Sequence, residues 1–237
     1  MKKHAYLLIF FVIMGQAILA QDSLDRKHLL VKIAPLTIFD IDNTFEFAVE
    51  HRLGKKNRWT LSEQLGYAAG LANIWQNEGT NYGSHREHYR AKIEARRYSK
   101  PRADMTGFYT AYELFFKQVN DHLNRNVGRE CESGPCNYYE NLDYPVSKYV
   151  VGTTAKIGYQ VRFKDIDKKK SKFAFDFYVG LGLRRIMIDH KIDGTTQNNS
   201  WFFGNNKFFS FGSFGYKDRA YNIPHASFGI RFGYFIF

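Results

Sequence analysis

What most restricts this chain is a two-residue rhythm of apolar and polar side chains, held over segments that are long for strands. The last stretch shows it best: Phe228, Ile230, Phe232, Tyr234 and Ile236 alternate with Ser227, Gly229, Arg231 and Gly233. Such alternation sends successive side chains to opposite faces of a β-strand, one apolar and one polar. Eight segments carry it: Leu29 to Phe39, Thr44 to Leu53, Trp59 to Ala72, Tyr89 to Tyr98, Gly107 to Gln118, Tyr149 to Phe163, Phe173 to Ile188 and Ala226 to Phe237. Helical periodicity is almost absent after residue 20. A composition of 44% hydrophobic and 17% aromatic residues excludes disorder. No later apolar run is long enough for a membrane-spanning helix.

Alternation alone does not say which face is the core. In a soluble sandwich the apolar face points inward; in a membrane barrel it meets lipid and the polar face fills the lumen. Three features favour the barrel. The segments run to 10 residues and beyond, as a tilted spanning strand requires, whereas soluble strands average about 5–6. Short and long connections nearly alternate: 5 residues at Gly54 to Arg58, 16 at Asn73 to His88, 8 at Ser99 to Thr106, 30 at Val119 to Lys148, 9 at Lys164 to Lys172 and 36 at Asp189 to Pro224. Outer-membrane barrels have short turns at one end and long loops at the other. The first connection, Asp40 to Asn43, breaks the pattern by being short.

The third feature is the polar face itself. Its acids are Glu46, Glu50, Glu94, Glu113 and Asp176; its bases are Arg52, Arg90, Lys92, Arg96, Lys117, Lys156, Arg162, Arg184 and Arg231. An eight-stranded barrel is just wide enough for its side chains to fill it. Opposite charges packed there are expected to pair, because isolated buried charges are very costly. Glu63 falls on the apolar parity of its strand, and a bulge that resets the parity would rescue it.

The first residues read as an export signal: Met1-Lys2-Lys3 is basic, Ala5 to Met14 is apolar, and Ala17-Ile18-Leu19-Ala20 offers a cleavage site after Ala20. A retained anchor is the alternative. The expected domains are thus a signal at 1–20 and one barrel over 21–237. Export argues against a cytosolic enzyme. A lipoprotein is unlike this chain, whose first cysteine is Cys131. In an oxidising compartment Cys131 and Cys136 can pair across Gly134-Pro135; a metal site would need two more ligands.

The formal net charge is +11, yet the short links after the second, fourth and sixth segments carry +7 and the four opposite links −4. The basicity therefore lies on the turns and inside, not on the long loops. Those turns can face anionic phospholipid headgroups or simply be solvated. A nucleic-acid partner is not expected, because export removes the compartment. The last long loop is dense in aromatics, among them Trp201, Phe202, Phe208 and Tyr216. It reads either as a sticky surface or as a hairpin extension with an interfacial girdle.

The signal followed by Gln21-Asp22, the stretch Ile93-Glu94-Ala95-Arg96-Arg97-Tyr98 leading to Gly107-Phe108-Tyr109, and the ending Phe228-Gly229-Ile230-Arg231-Phe232-Gly233-Tyr234 resemble a family of small outer-membrane barrels. Those barrels occur in Bacteroidota-type bacteria and carry a domain of unknown function. The resemblance covers most of the mature chain and implies a fold and a location, not a reaction. Phe237 is similar to the terminal aromatic that the outer-membrane assembly machinery recognises, although its parity is that of Arg231 and Gly233. His225-Ala226-Ser227 resembles the His-x-Ser pair of lipid A deacylases, but no acid follows it and its parity is inward. The sequence thus points to an eight-stranded antiparallel outer-membrane β-barrel with a charged, filled lumen and no cofactor. Its expected partners are outer-membrane lipids, the assembly machinery and a surface partner met by the long loops. A lipid-modifying enzyme in the same barrel, or a soluble periplasmic barrel holding a ligand, are the alternatives.

Overall fold

The computed structural model describes residues 29–40, 42–53, 58–69, 86–100, 105–129, 137–164, 170–190 and 219–236. Eight antiparallel strands follow one another around a single closed ring. They are β1 (Leu29–Ile33), β2 (Phe45–Arg52), β3 (Trp59–Ala69), β4 (Glu87–Tyr98), β5 (Gly107–Arg129), β6 (Tyr138–Lys164), β7 (Lys170–His190) and β8 (Arg219–Phe235). The export signal, Cys131, Cys136, Phe237 and the aromatics from Trp201 to Tyr216 lie outside the described residues.

The ring is staggered. A row followed strand by strand from Leu30 passes through Glu50, Ser62, Glu94, Glu113, Thr154 and Gly182 and arrives at His225. Leu30's own partner on β8 is Phe235, ten residues further on. Closing a sheet demands such a shear and tilts the strands, typically by about 35–45°. The shift is even, so inward residues meet inward residues at the closure.

The wall is uneven in height. β1 has 5 residues and β2 has 8, whereas β5 has 23 and β6 has 27. The first expected strand ends early because Pro35, which has no N–H to give a ladder, opens a 3-10 turn over Pro35–Phe39 (η1). The link from β1 to β2 therefore spans Ala34 to Thr44 rather than four residues. The third segment is strand from Trp59 to Ala69, and the rest of its expected span, to Ala72, lies outside the described residues.

Elsewhere the strands outrun their sequence pattern. The expected loop of Val119 to Lys148 is largely a hairpin in continuous register, from Val119↔Lys148 out to Arg129↔Tyr138. β7 continues to His190 and β8 begins at Arg219, so the last loop is shorter than expected. These extensions carry Asn, Asp and Gly without alternation, and backbone pairing to a neighbour holds them. Pro145 stands just beyond Val146, where β6's pairing with β7 stops among the described residues. A proline is tolerated there, because a missing donor on an unpaired edge removes no bond.

Polarity is inside out. Leu181 is 73% exposed on the outer face and Phe228 77%, while Arg96 and Glu50 on the inner face are both 0% exposed. Glu63 stays on the outer face, half-buried, opposite Val49 and Ile93. No register shift interrupts β3, so the expected bulge is not formed; the one shift within the pairings lies between Arg162 and Lys164. Close packing inside needs glycine at particular points. A Cβ on Gly229 would lie 2.5 Å from the Tyr178 hydroxyl oxygen, and one on Gly158 would run into the Tyr109 ring.

Candidate functional site

The interior is the chemically distinctive part of the molecule. Toward the short links lies a balanced cluster of four carboxylates (Glu50, Glu94, Glu113, Asp176) and four cations (Lys32, Arg96, Lys156, Arg231), every one 2% exposed or less. Arg96 is its hub, 2.5 Å from Glu94, 2.9 Å from Asp176 and 3.0 Å from Glu50. Lys32 reaches Glu50 at 2.5 Å and Asp176 at 3.0 Å. Arg231 pairs with Glu94 at 3.0 Å, and Lys156 pairs with Glu94 and Glu113.

Neutral groups take up remaining lone pairs. The hydroxyls of Tyr98 and Thr60 donate to Glu50 at 2.9 and 2.6 Å, and that of Tyr109 donates to Asp176 at 2.6 Å. The guanidinium groups of Arg96 and Arg231 lie over the rings of Tyr109 and Tyr178 at 4.6 and 4.2 Å. Pairing of this kind is what a desolvated charge cluster needs, since a buried ion lacking partners costs several kcal/mol, although Nη2 of Arg96 and Nε of Arg231 keep no hydrogen-bond partner among the described residues.

Toward the long loops the arrangement changes. Glu46 accepts from Arg90 at 2.7 Å and Lys92 at 2.8 Å. Asp42, carried in from the β1–β2 link, holds Lys117 at 2.6 Å, Arg86 at 2.7 Å and Lys148 at 2.9 Å. Burial alone would raise its carboxyl, but Lys117, Lys148 and Arg86 outweigh it and hold the group well below the usual carboxylate range. Asp40 pairs with Arg90 at 2.6 Å. Beside these charges an apolar cluster lies on β5 to β7, with Val119, Val150, Ile186 and Ile188 packed together.

The remaining inward bases occupy the ends of the ring. Arg52 is buried on β2. Arg162 donates to the Ser171 carbonyl at 2.5 Å and lies 4.2 Å over the Phe235 ring. Arg184 is half-buried on β7. Five cluster members, Lys32, Asp40, Asp42, Arg86 and Lys148, escaped the sequence reading as lumen charges. Lys32 was recoverable, because Leu30 and Lys32 oppose Leu29, Val31 and Ile33. Asp42 was not, because it sits in a link with no periodicity.

His225 and Ser227 both face inward. The His225 ring packs on Phe115 with centroids 5.0 Å apart. The charges that act most on it are Arg184, Lys156, Lys92 and Lys117, and none is an acid. Among the described residues no carboxylate orients the imidazole, which a base in a nucleophilic set requires. Nor does any group of three or more metal-ligating side chains form among them. No family model, curated protein or solved structure matches this chain, so the site stands on its own geometry.

Proposed function

We propose that this chain is an exported outer-membrane β-barrel with a filled, charged lumen, acting as a structural or surface-binding protein rather than a general pore. One observation carries the reading: large apolar side chains cover the outer face while buried ion-pair clusters occupy the interior. Tyr112 and Leu114 are each 65% exposed, Leu183 62% and Phe47 61%. Such a belt is what a lipid-facing wall presents. From β2 to β7 each strand is paired on both sides, as a bilayer demands of spanning backbone, and β8 closes on β1 over Phe232 to Phe235. The buried clusters leave little bore for solutes. Binding then falls to the loop end, where the β5–β6 hairpin stands above its neighbours. The resemblance to small outer-membrane barrels and the signal-like first residues agree with this location.

The test is membrane fractionation of the expressed protein with boiled and unboiled gel migration compared. Detergent-dependent solubility with a heat-induced shift is the expected result. A water-soluble chain with no shift would overturn the membrane reading and make the outer apolar face an assembly surface.

A further inference from the structure

Asp42 holds its three cations unevenly. Lys117 and Lys148 crowd one carboxylate oxygen, Oδ2, at 2.6 and 2.9 Å, while Arg86 takes Oδ1 at 2.7 Å. Arg86 stands just before β4, Lys117 on β5 and Lys148 on β6, so three neighbouring strands converge on one acid. A fourth group joins them. His88 lies fully buried on the inner face of β4, and the charges that act most on it are Asp42, Arg86, Lys117 and Lys148. Its Nδ1 and Nε2 both lack a hydrogen-bond partner, and no other buried side chain among the described residues has two such atoms. An ion pair closed on itself accounts for the cations and the acid. It does not account for this imidazole, whose unpaired buried nitrogens destabilise the fold.

The acid is carried on a loop that is clipped below it. The Thr44 N–H donates to the Thr37 carbonyl at 3.0 Å, and the Thr37 hydroxyl donates to the Thr44 carbonyl at 2.8 Å. Asp42 sits beyond this clip and outside every strand. It can therefore leave the three cations without breaking a ladder bond. Arg86 is the group that meets solvent, with 16% of its side chain exposed, so a small anion can approach from the loop end.

We propose that Arg86, Lys117, Lys148 and His88 form a binding site for a phosphate group, free or as a phosphomonoester, in which Asp42 is the built-in stand-in. A phosphate presents at least three acceptor oxygens, so that each cation gains an oxygen of its own instead of sharing Oδ2. The guanidinium and the two ammonium groups meet it in charge-assisted hydrogen bonds. An imidazole ring carries at least one N–H, which a further phosphate lone pair accepts. A carboxylate, with two oxygens, serves these four donors less well, and Asp42 already supplies one. The site lies inside the mouth and does not depend on what the outer wall faces.

The test is equilibrium dialysis of the full chain, folded in dodecyl maltoside, against radiolabelled inorganic phosphate. We expect one phosphate per wild-type chain, about tenfold tighter binding by Asp42→Ala, and about tenfold weaker binding by Lys117→Gln and by His88→Phe. His88→Phe is the sharpest variant, because it keeps a ring and every ion pair and removes only the two idle nitrogens. Acetate should displace the label at least about tenfold less well than phosphate. Displacement by glycerol phosphate supports the site and names a water-borne ester; displacement by dodecyl phosphate alone supports it and names a lipid head. No phosphate on folded wild type, unchanged binding by Lys117→Gln or His88→Phe, or no gain in folded Asp42→Ala would each overturn the proposal. The heat shift of each variant reports that it folds, and wild type against His88→Phe decides the matter if Asp42→Ala does not. A chain that is water-soluble without a heat shift would sink the membrane reading alone. Dialysis in detergent-free buffer would then support or overturn the site by the same outcomes.

Discussion

Toward the short links, four carboxylates meet four cations with neutral hydroxyls on spare lone pairs; toward the long loops, Asp42 by itself holds three cations. Strand height accounts for the difference. All eight strands pass the lower level, so every inward position there faces another across a closed lumen. At the upper level β1 has ended and β2 has only begun, so that a link must bring in its own acid. Where the ring is complete, strands supply both signs of charge; where it is incomplete, a link supplies the acid.

The largest effect should come from the hub of the closed half. Arg96→Met leaves Glu50, Glu94 and Asp176 short of a shared cation, and breaking a buried network at one partner costs about 3–5 kcal/mol. Urea unfolding in detergent, followed by the unboiled gel form, measures it. A loss under about 1 kcal/mol would mean that water reaches this level and that the two halves are alike.

Asp42→Asn should cost less, about 1–3 kcal/mol, because its partners lie near the mouth and can be rehydrated. Its pH dependence sharpens the contrast. The folded carboxyl is depressed below its unfolded value of about 3.9, so its contribution is complete above that pH and fades as pH falls through the folded value. Wild type should therefore lose stability below about pH 4 more steeply than Asp42→Asn.

Gly158→Ala sets a methyl against the Tyr109 ring and the Phe177 carbonyl, and overpacking of this kind costs about 1–3 kcal/mol. Tyr98→Phe removes one donor from Glu50 and should cost about 1–2 kcal/mol in the same assay. The smallest effect belongs to the protruding hairpin. Arg129 and Glu140 pair at 2.9 Å but both are solvent-accessible, so Arg129→Ala should shift stability by less than about 1 kcal/mol.

Face assignment was fully readable in the chain. In β4 the order Arg90, Lys92, Glu94, Arg96 against Ala91, Ile93, Ala95 sets which side each residue takes, because the pleat alternates strictly. The same rule placed His225 and Ser227 inward. Strand ends were less readable. The stretch from Val119 to Arg129 has no rhythm, and only its partner strand makes it β. Pro35 was visible, but its consequence, a ring whose β1 side stops early, depends on how far β8 continues past it.

The sequence by itself determined an all-β chain with apolar and charged faces, because side-chain period follows from backbone geometry whatever the partners are. Tertiary structure alone decided which acid meets which base. Lys148 and Asp42 lie 106 residues apart, and Glu94 and Arg231 lie 137 apart. The ten-residue stagger of the closed ring brings such positions together, and no local pattern encodes that stagger. It also decided that, among the described residues, β8 meets β1 only from Phe232 to Phe235.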